Sequence, residues 1–159
     1  MDTTNTPLTV NFYAGVVNAS SVYEELPVRK IAENQYELLA SPGLALNLAK
    51  GDIVHVFDNH QTPTVLKRGG NFCIQIYSEH ISKVTLERLT KTLHSRLSGT
   101  LDGKYMGNLA ISVPATAGLV CIREFFDAFT EQTGIQWYFG NIYKNLEDAN
   151  DETLLDWWL

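Results

Sequence analysis

Between Phe72 and Tyr143 the apolar positions change period four times. Phe72, Ile74 and Ile76 alternate with Cys73, Gln75 and Tyr77, a period of two that puts one set on a single face of a strand. Leu86, Leu89, Leu93 and Leu97 then recur at steps of three and four, one stripe of a helix, while Glu87, Arg88, Lys91 and Arg96 take the other side. Ser82 or Thr85 is suited to cap its start, and Gly99 to close it in the left-handed conformation. A second strand is predicted from Tyr105 to Val113, with Leu109, Ile111 and Val113 on one face and Pro114 as its stop. Thr116 is placed to cap the next helix, whose stripe is Leu119, Ile122, Phe125, Phe126 and Phe129, ended by Thr133-Gly134. A last strand alternates Ile135, Trp137 and Phe139 with polar or small partners, so its aromatic face should meet those phenylalanines.

Two helices with one stripe each need a sheet to cover, and short connections favour right-handed crossovers, so both helices are expected on one face. The βαβαβ order resembles a ferredoxin-like split βαβ unit with three strands rather than four, the fourth to come from the N-terminal half. Before it, the pattern is of short strands. Leu8, Val10 and Phe12 alternate, Gly15 permits a bend, and Val22 to Ile31 and Gln35 to Leu39 form two strands joined by a hairpin at Glu33-Asn34. Leu44 to Ala49 fits a helical and an extended period equally and is expected to be irregular or a single turn. Ile53 to Phe57 and Thr64 to Lys67 are further strands, separated by the polar loop 58–63. The fold class expected is α+β, a small curled β-sheet or barrel over 1–70, the ferredoxin-like unit over 71–146, and a C-terminal tail over 147–159.

The chain has 159 residues, 45% of them hydrophobic, enough for one substantial core or two small fused ones. No apolar run approaches the ~20 residues of a bilayer crossing. Residues 1–7 lack the basic start and apolar middle of a signal peptide, so a cytoplasmic location is expected. Cys73 and Cys121 have no metal spacing and read as reduced, buried hydrophobes. A net charge of −6 argues against nonspecific nucleic-acid binding, which needs phosphate neutralisation by Lys and Arg.

Tyr36-Glu37-Leu38-Leu39-Ala40-Ser41-Pro42, then Leu44-Ala45 and Leu48-Ala49-Lys50-Gly51-Asp52-Ile53-Val54, resembles the core motif of an uncharacterised bacterial domain family. The likeness covers the first two thirds of the chain. It implies a fold and no activity, since the glycine serves a turn and the aspartate bonds nearby backbone. In general character, a small acidic α+β protein without a catalytic signature is also similar to the immunity proteins of contact-dependent and polymorphic toxin systems.

Charge is unevenly distributed. Residues 83–104 carry two acids and five bases, whereas 105–159 carry eight acids and two bases. Beyond Lys144 no base occurs, while Glu147, Asp148, Asp151, Glu152 and Asp156 lead into Trp157-Trp158-Leu159. One reading is an acidic arm for a basic partner, with Trp157 as anchor. The other is a solubilised terminus whose tryptophans fold back on the core. The bases Lys83, Arg88, Lys91, His94 and Arg96 read as a solvated helix face, or as partners of the acidic tail, because no aromatic platform accompanies them.

Catalytic chemistry is thinly represented. His55, Asp58 and His60 form the one close titratable group, and without a further ligand or nucleophile they read as turn chemistry. Glu24-Glu25 cannot share a face if they lie on a strand. Gly69-Gly70 and Gly103 to Gly107 lack the spacing of phosphate cradles. No metal or cofactor is expected. The reading that follows is a non-enzymatic binding protein, most concretely an immunity protein that occludes a cognate basic toxin through Glu147, Asp148, Asp151, Glu152, Asp156 and Trp157. The competing reading is a small-molecule enzyme or ligand sensor with a pocket between the halves, using His55, Asp58 or His60. Dimerisation through a sheet edge is a third, and the oligomeric state is left open.

Overall fold

A computed structural model describes residues 8–105 and 107–159. It is an α+β structure with two antiparallel sheets and two helices. The first sheet is a meander, β1 (Leu8–Val17), β2 (Ser20–Ala32), β3 (Gln35–Leu38), β4 (Ile53–His55) and β5 (Thr64–Lys67), in the order β1-β2-β3-β4-β5. Among the described residues no ladder returns from β5 to β1, so this sheet is open where a barrel was an expected alternative. Asn18 and Ala19, both at positive φ, turn β1 into β2; Gly15, at φ +108°, marks a register shift inside β1. Asn34, at φ +57°, closes the expected β2-β3 hairpin.

The second half runs β6 (Asn71–Ile76), α1 (Lys83–Leu97), β7 (Thr100–Tyr105), β8 (Asn108–Pro114), α2 (Leu119–Thr133) and β9 (Trp137–Phe139). Its four strands lie in the order β7-β8-β6-β9. The expected single strand from Tyr105 to Val113 is therefore the second arm of a hairpin, and the fourth strand is β7, not a contribution from the N-terminal half. Edge position explains the miss, since Thr100 to Tyr105 are half-exposed or exposed throughout, shift register between Leu101 and Gly103, and carry no apolar alternation.

Helix ends follow the sequence in part. Ser82 caps α1, its hydroxyl accepting from the Thr85 amide, and Gly134 closes α2 at φ +75°. Ser98, not Gly99, takes the left-handed position after α1. Gly99 is reserved by space, because a Cβ there would press into Leu93. Thr116 lies in a short 3-10 turn, and α2 begins behind Gly118 with no side-chain cap.

Phe72, Ile74 and Ile76 of β6 and Leu109, Ile111 and Val113 of β8 meet both helix stripes in the larger core, with Leu89, Leu93, Ile122 and Phe126. Phe126 lies 5.3 Å from Trp137, the aromatic contact predicted between α2 and the last strand. The smaller core is the inner face of the first sheet, Phe12, Leu26, Val28, Leu38 and Val54, closed by Ala45 and Leu48 from the irregular segment 39–52. That segment lies between the sheets, because the opposite face of the second sheet, Cys73, Gln75, Ala110 and Ser112, is also buried and bonds to it. No helix of the described residues is long and apolar enough to cross a membrane.

Candidate functional site

The seam between the sheets is built from polar groups. Glu24 points inward from β2, and its carboxylate accepts the amides of Gly43, Leu44 and Ala45 at 2.7–2.8 Å. Glu25 is exposed, as adjacent strand residues must be. From β7, Asp102 accepts the Ser41 amide at 2.8 Å and the Ser112 hydroxyl. Ser41 Oγ in turn lies 2.6 Å from Ser112 Oγ and accepts the Lys50 amide at 2.9 Å. One directed chain of hydroxyls thus runs from Lys50 through Ser41 and Ser112 to a carboxylate, polarised along its length. Gln75 donates to the carbonyls of Pro42 and Ala45 and accepts from the Tyr77 phenol. Burial, with the charges of Glu24 and Asp102 behind it, pushes the Cys73 thiol far above its ordinary value and leaves it an inert thiol.

A second anchor closes the other end of segment 39–52. Asp52 is fully buried and accepts from Ala49 N, Gly69 N and Arg68, at 3.0, 2.9 and 3.2 Å. Its desolvation outweighs these donors and raises its pKa. Arg68 also donates to Asn47 and stands 5.6 Å from the ring of Trp157.

The C-terminal tail is docked. Leu155 N donates to Ile142 O, Lys144 N to Thr153 O, and Tyr143 bridges Leu154. Trp157 and Trp158 pack at a tilt against Phe72, with ring centroids 4.9 and 5.5 Å away, and the Trp157 indole N–H donates to Asn141 O. The tryptophans thus fold back on the core, and Trp157 is half-buried rather than presented. Three of the expected acids, Asp148, Asp151 and Glu152, line one groove of about 550 Å³ beside edge strand β9. Asp127 of α2 and the rings of Trp137, Tyr138 and Tyr143 also line it, as does one base, Arg123, whose guanidinium stands 5.3 Å from the Phe139 ring. Asp151 accepts from Thr153 and Asn145, and these bonds hold its carboxyl below the ordinary range. Glu147 and Asp156 are exposed but lie outside that lining. Among the described residues, no ion pair joins the bases of α1 to the tail; Lys83 meets Glu87 of its own helix.

A separate cleft of about 500 Å³ opens at the seam, between β2 and β7. His55, Asp58 and His60 do not line it. His55 stacks on Phe57, Asp58 accepts the His60 amide, and His60 meets the Tyr23 hydroxyl at 2.6 Å. A pocket between the halves exists, but the residues expected to serve it hold a neighbouring loop. Sequence reasoning missed Glu24, Asp102 and Ser112 at the seam and Asp127 at the groove. Only the inward parity of Glu24 on its strand could have signalled any of them.

No curated protein matches the chain. A solved structure described as that of a hypothetical protein from Neisseria gonorrhoeae is similar in fold, with a TM-score of 0.61 and 19% identity over 85% of this chain and 93% of that one. A family model described as a domain of unknown function, DUF4265, matches residues 24–137, a span that holds the segment between the sheets, both helices and the second sheet as far as the start of β9, and the chain belongs to that family.

Proposed function

We propose that this is a non-enzymatic binding protein whose acidic C-terminal groove receives a basic protein partner, most concretely an immunity protein that covers the active site of a cognate basic toxin, a nuclease. The observation that carries the reading is the convergence of four carboxylates, Asp127, Asp148, Asp151 and Glu152, against the single base Arg123, with Trp137, Tyr138 and Tyr143 in one groove. Carboxylates imitate phosphates, so a cleft that attracts a nucleic-acid backbone also attracts them and association is fast and salt-sensitive. Glu147 and Asp156 add to the negative charge of the tail, which Trp157 anchors on Phe72. The order β7-β8-β6-β9 around two helices supports a ferredoxin-like second unit over 71–146, with 1–70 as its β-rich companion and 147–159 as the acidic tail. A cytoplasmic setting suits the reading.

The test is capture of a partner from host lysate, followed by growth rescue. The expected partner is a basic toxin whose expression arrests growth and whose effect this protein lifts. The triple reversal Asp148→Lys, Asp151→Lys, Glu152→Lys should slow association about tenfold or more at low salt, with a smaller effect on dissociation. Unchanged association kinetics would refute the acidic-groove reading. The second reading, a ligand-binding pocket between the halves, is favoured by the seam cleft alone.

A further inference from the structure

The seam cleft carries its own chemistry, apart from the tail groove, with which it shares only Tyr77. Its walls are the β2 stretch around Tyr23 and the β7 stretch around Tyr105, and between them lie Ala40, Ser41, Gly43 and Leu44. Apolar surface predominates, as in sites that hold small organic molecules. Three carboxylate residues line the cleft; Glu25 is exposed, while Glu24 and Asp102 reach it from opposite walls and are each fixed by three protein donors. Glu24 and Asp102 are therefore preorganised rather than free to swing away. Tyr77 is pushed up to about 12, by burial first and then by neighbouring negative charge that includes Glu24, so its phenol remains a neutral donor. Lys104 is the one base of the lining, and it is exposed.

We infer that this cleft binds a small organic cation, an ammonium group carried on an aromatic or alkyl body, with the body against Tyr23 and Tyr105 and the charge toward Glu24 and Asp102. This deepens the second reading above and is independent of the toxin partner. Charge complementarity selects the cation over an anion, because both fixed charges are negative and the positive one is mobile at the rim. Tyrosine faces add attraction for a cation that a neutral isostere lacks. Tyr105, 73% exposed, can contribute to a ligand without being needed by the core.

Three probes of one ring system separate the possibilities: tryptamine, indole-3-ethanol and indole-3-propionate, titrated into the full-length protein and followed by amide chemical shifts and calorimetry. Tryptamine should bind and perturb Tyr23, Tyr77 and Gly103, at least about tenfold more tightly than the propionate, a difference of about 1.4 kcal/mol. Tyr105→Ala should weaken it about 2–5-fold at unchanged thermal stability. Lys104→Met should leave binding equal or stronger. Equal or tighter binding of the propionate, loss of binding in Lys104→Met, or no shift with any probe at millimolar concentration would each overturn the proposal. The tail triple reversal should leave tryptamine binding within about twofold, since a tenfold ratio would require 1.4 kcal/mol of coupling between the two sites. Failure here therefore leaves the groove reading standing, and the reverse holds too.

Discussion

Asp52 is a fully buried carboxylate whose protein donors offset, without cancelling, its loss of water. Its raised pKa has a definite sign. The folded state holds the proton up to a higher pH than the unfolded chain, so ionisation of Asp52 lowers stability as pH rises between the unfolded and folded values. Relative to Asp52→Asn, the wild type should gain stability as the medium is acidified through the folded and then the unfolded titration of Asp52, measured by urea unfolding. A flat difference would mean that the donors balance the burial. Asp52→Ala is the harsher change, because Arg68 and two amides lose their acceptor together, and about 3–5 kcal/mol should go. At the other anchor, Ser112→Ala removes the donor to Asp102 and the neighbour of Ser41, with a cost of about 1–3 kcal/mol. Asp151 has the opposite sign. Its lowered pKa favours the folded tail above the unfolded value, and that contribution fades as pH falls through the folded one.

At the scale of elements, the clearest weakness is the end of α1, where Ser98 holds φ +54° because Gly99 is needed against Leu93. Ser98→Gly should stabilise the protein by about 0.5–1 kcal/mol, the relief of a left-handed non-glycine residue less the added freedom of the unfolded chain. Denaturant midpoints of the two proteins measure it, and a lower midpoint in Ser98→Gly would contradict the strain. This detail was half-legible, since Leu97-Ser98-Gly99 announces a stop without saying which residue turns. The same limit governs the larger elements. Strands and helices with one buried face wrote their period into the sequence, and β6, β8, α1 and α2 were readable for that reason. β7 was not, because an irregular edge strand is half-exposed on both faces and leaves no period behind. The start of α2 was misplaced because Gly118 offers no side-chain cap to read.

For the whole molecule, the charge of the tail was legible, but its geometry was not. Asp148, Asp151 and Glu152 stand in one run, whereas Asp127 and Tyr138 join them only through the packing of α2 and β9. The burial of Ser41, Gln75 and Ser112 left no mark in the sequence, because a polar residue buried against a partner is indistinguishable there from one in water. Those residues nevertheless decide how the two halves behave. Ala45 and Leu48 complete the core of the first sheet, while Ser41, Pro42 and Asn47 of the same segment bond to groups of the second half. Neither sheet can lose the segment without exposing buried surface in the other. Arg68, between Asp52 and Trp157, extends the connection to the tail. Unfolding should therefore be a single transition, with calorimetric and van't Hoff enthalpies equal. Trp157→Ala removes the ring from Phe72 and Arg68 and should cost about 3 kcal/mol, lowering the midpoint by about 6–12 °C without splitting the transition. Two separate endotherms in the wild type would show that the halves are independent and that the buried bonds of segment 39–52 do not couple them.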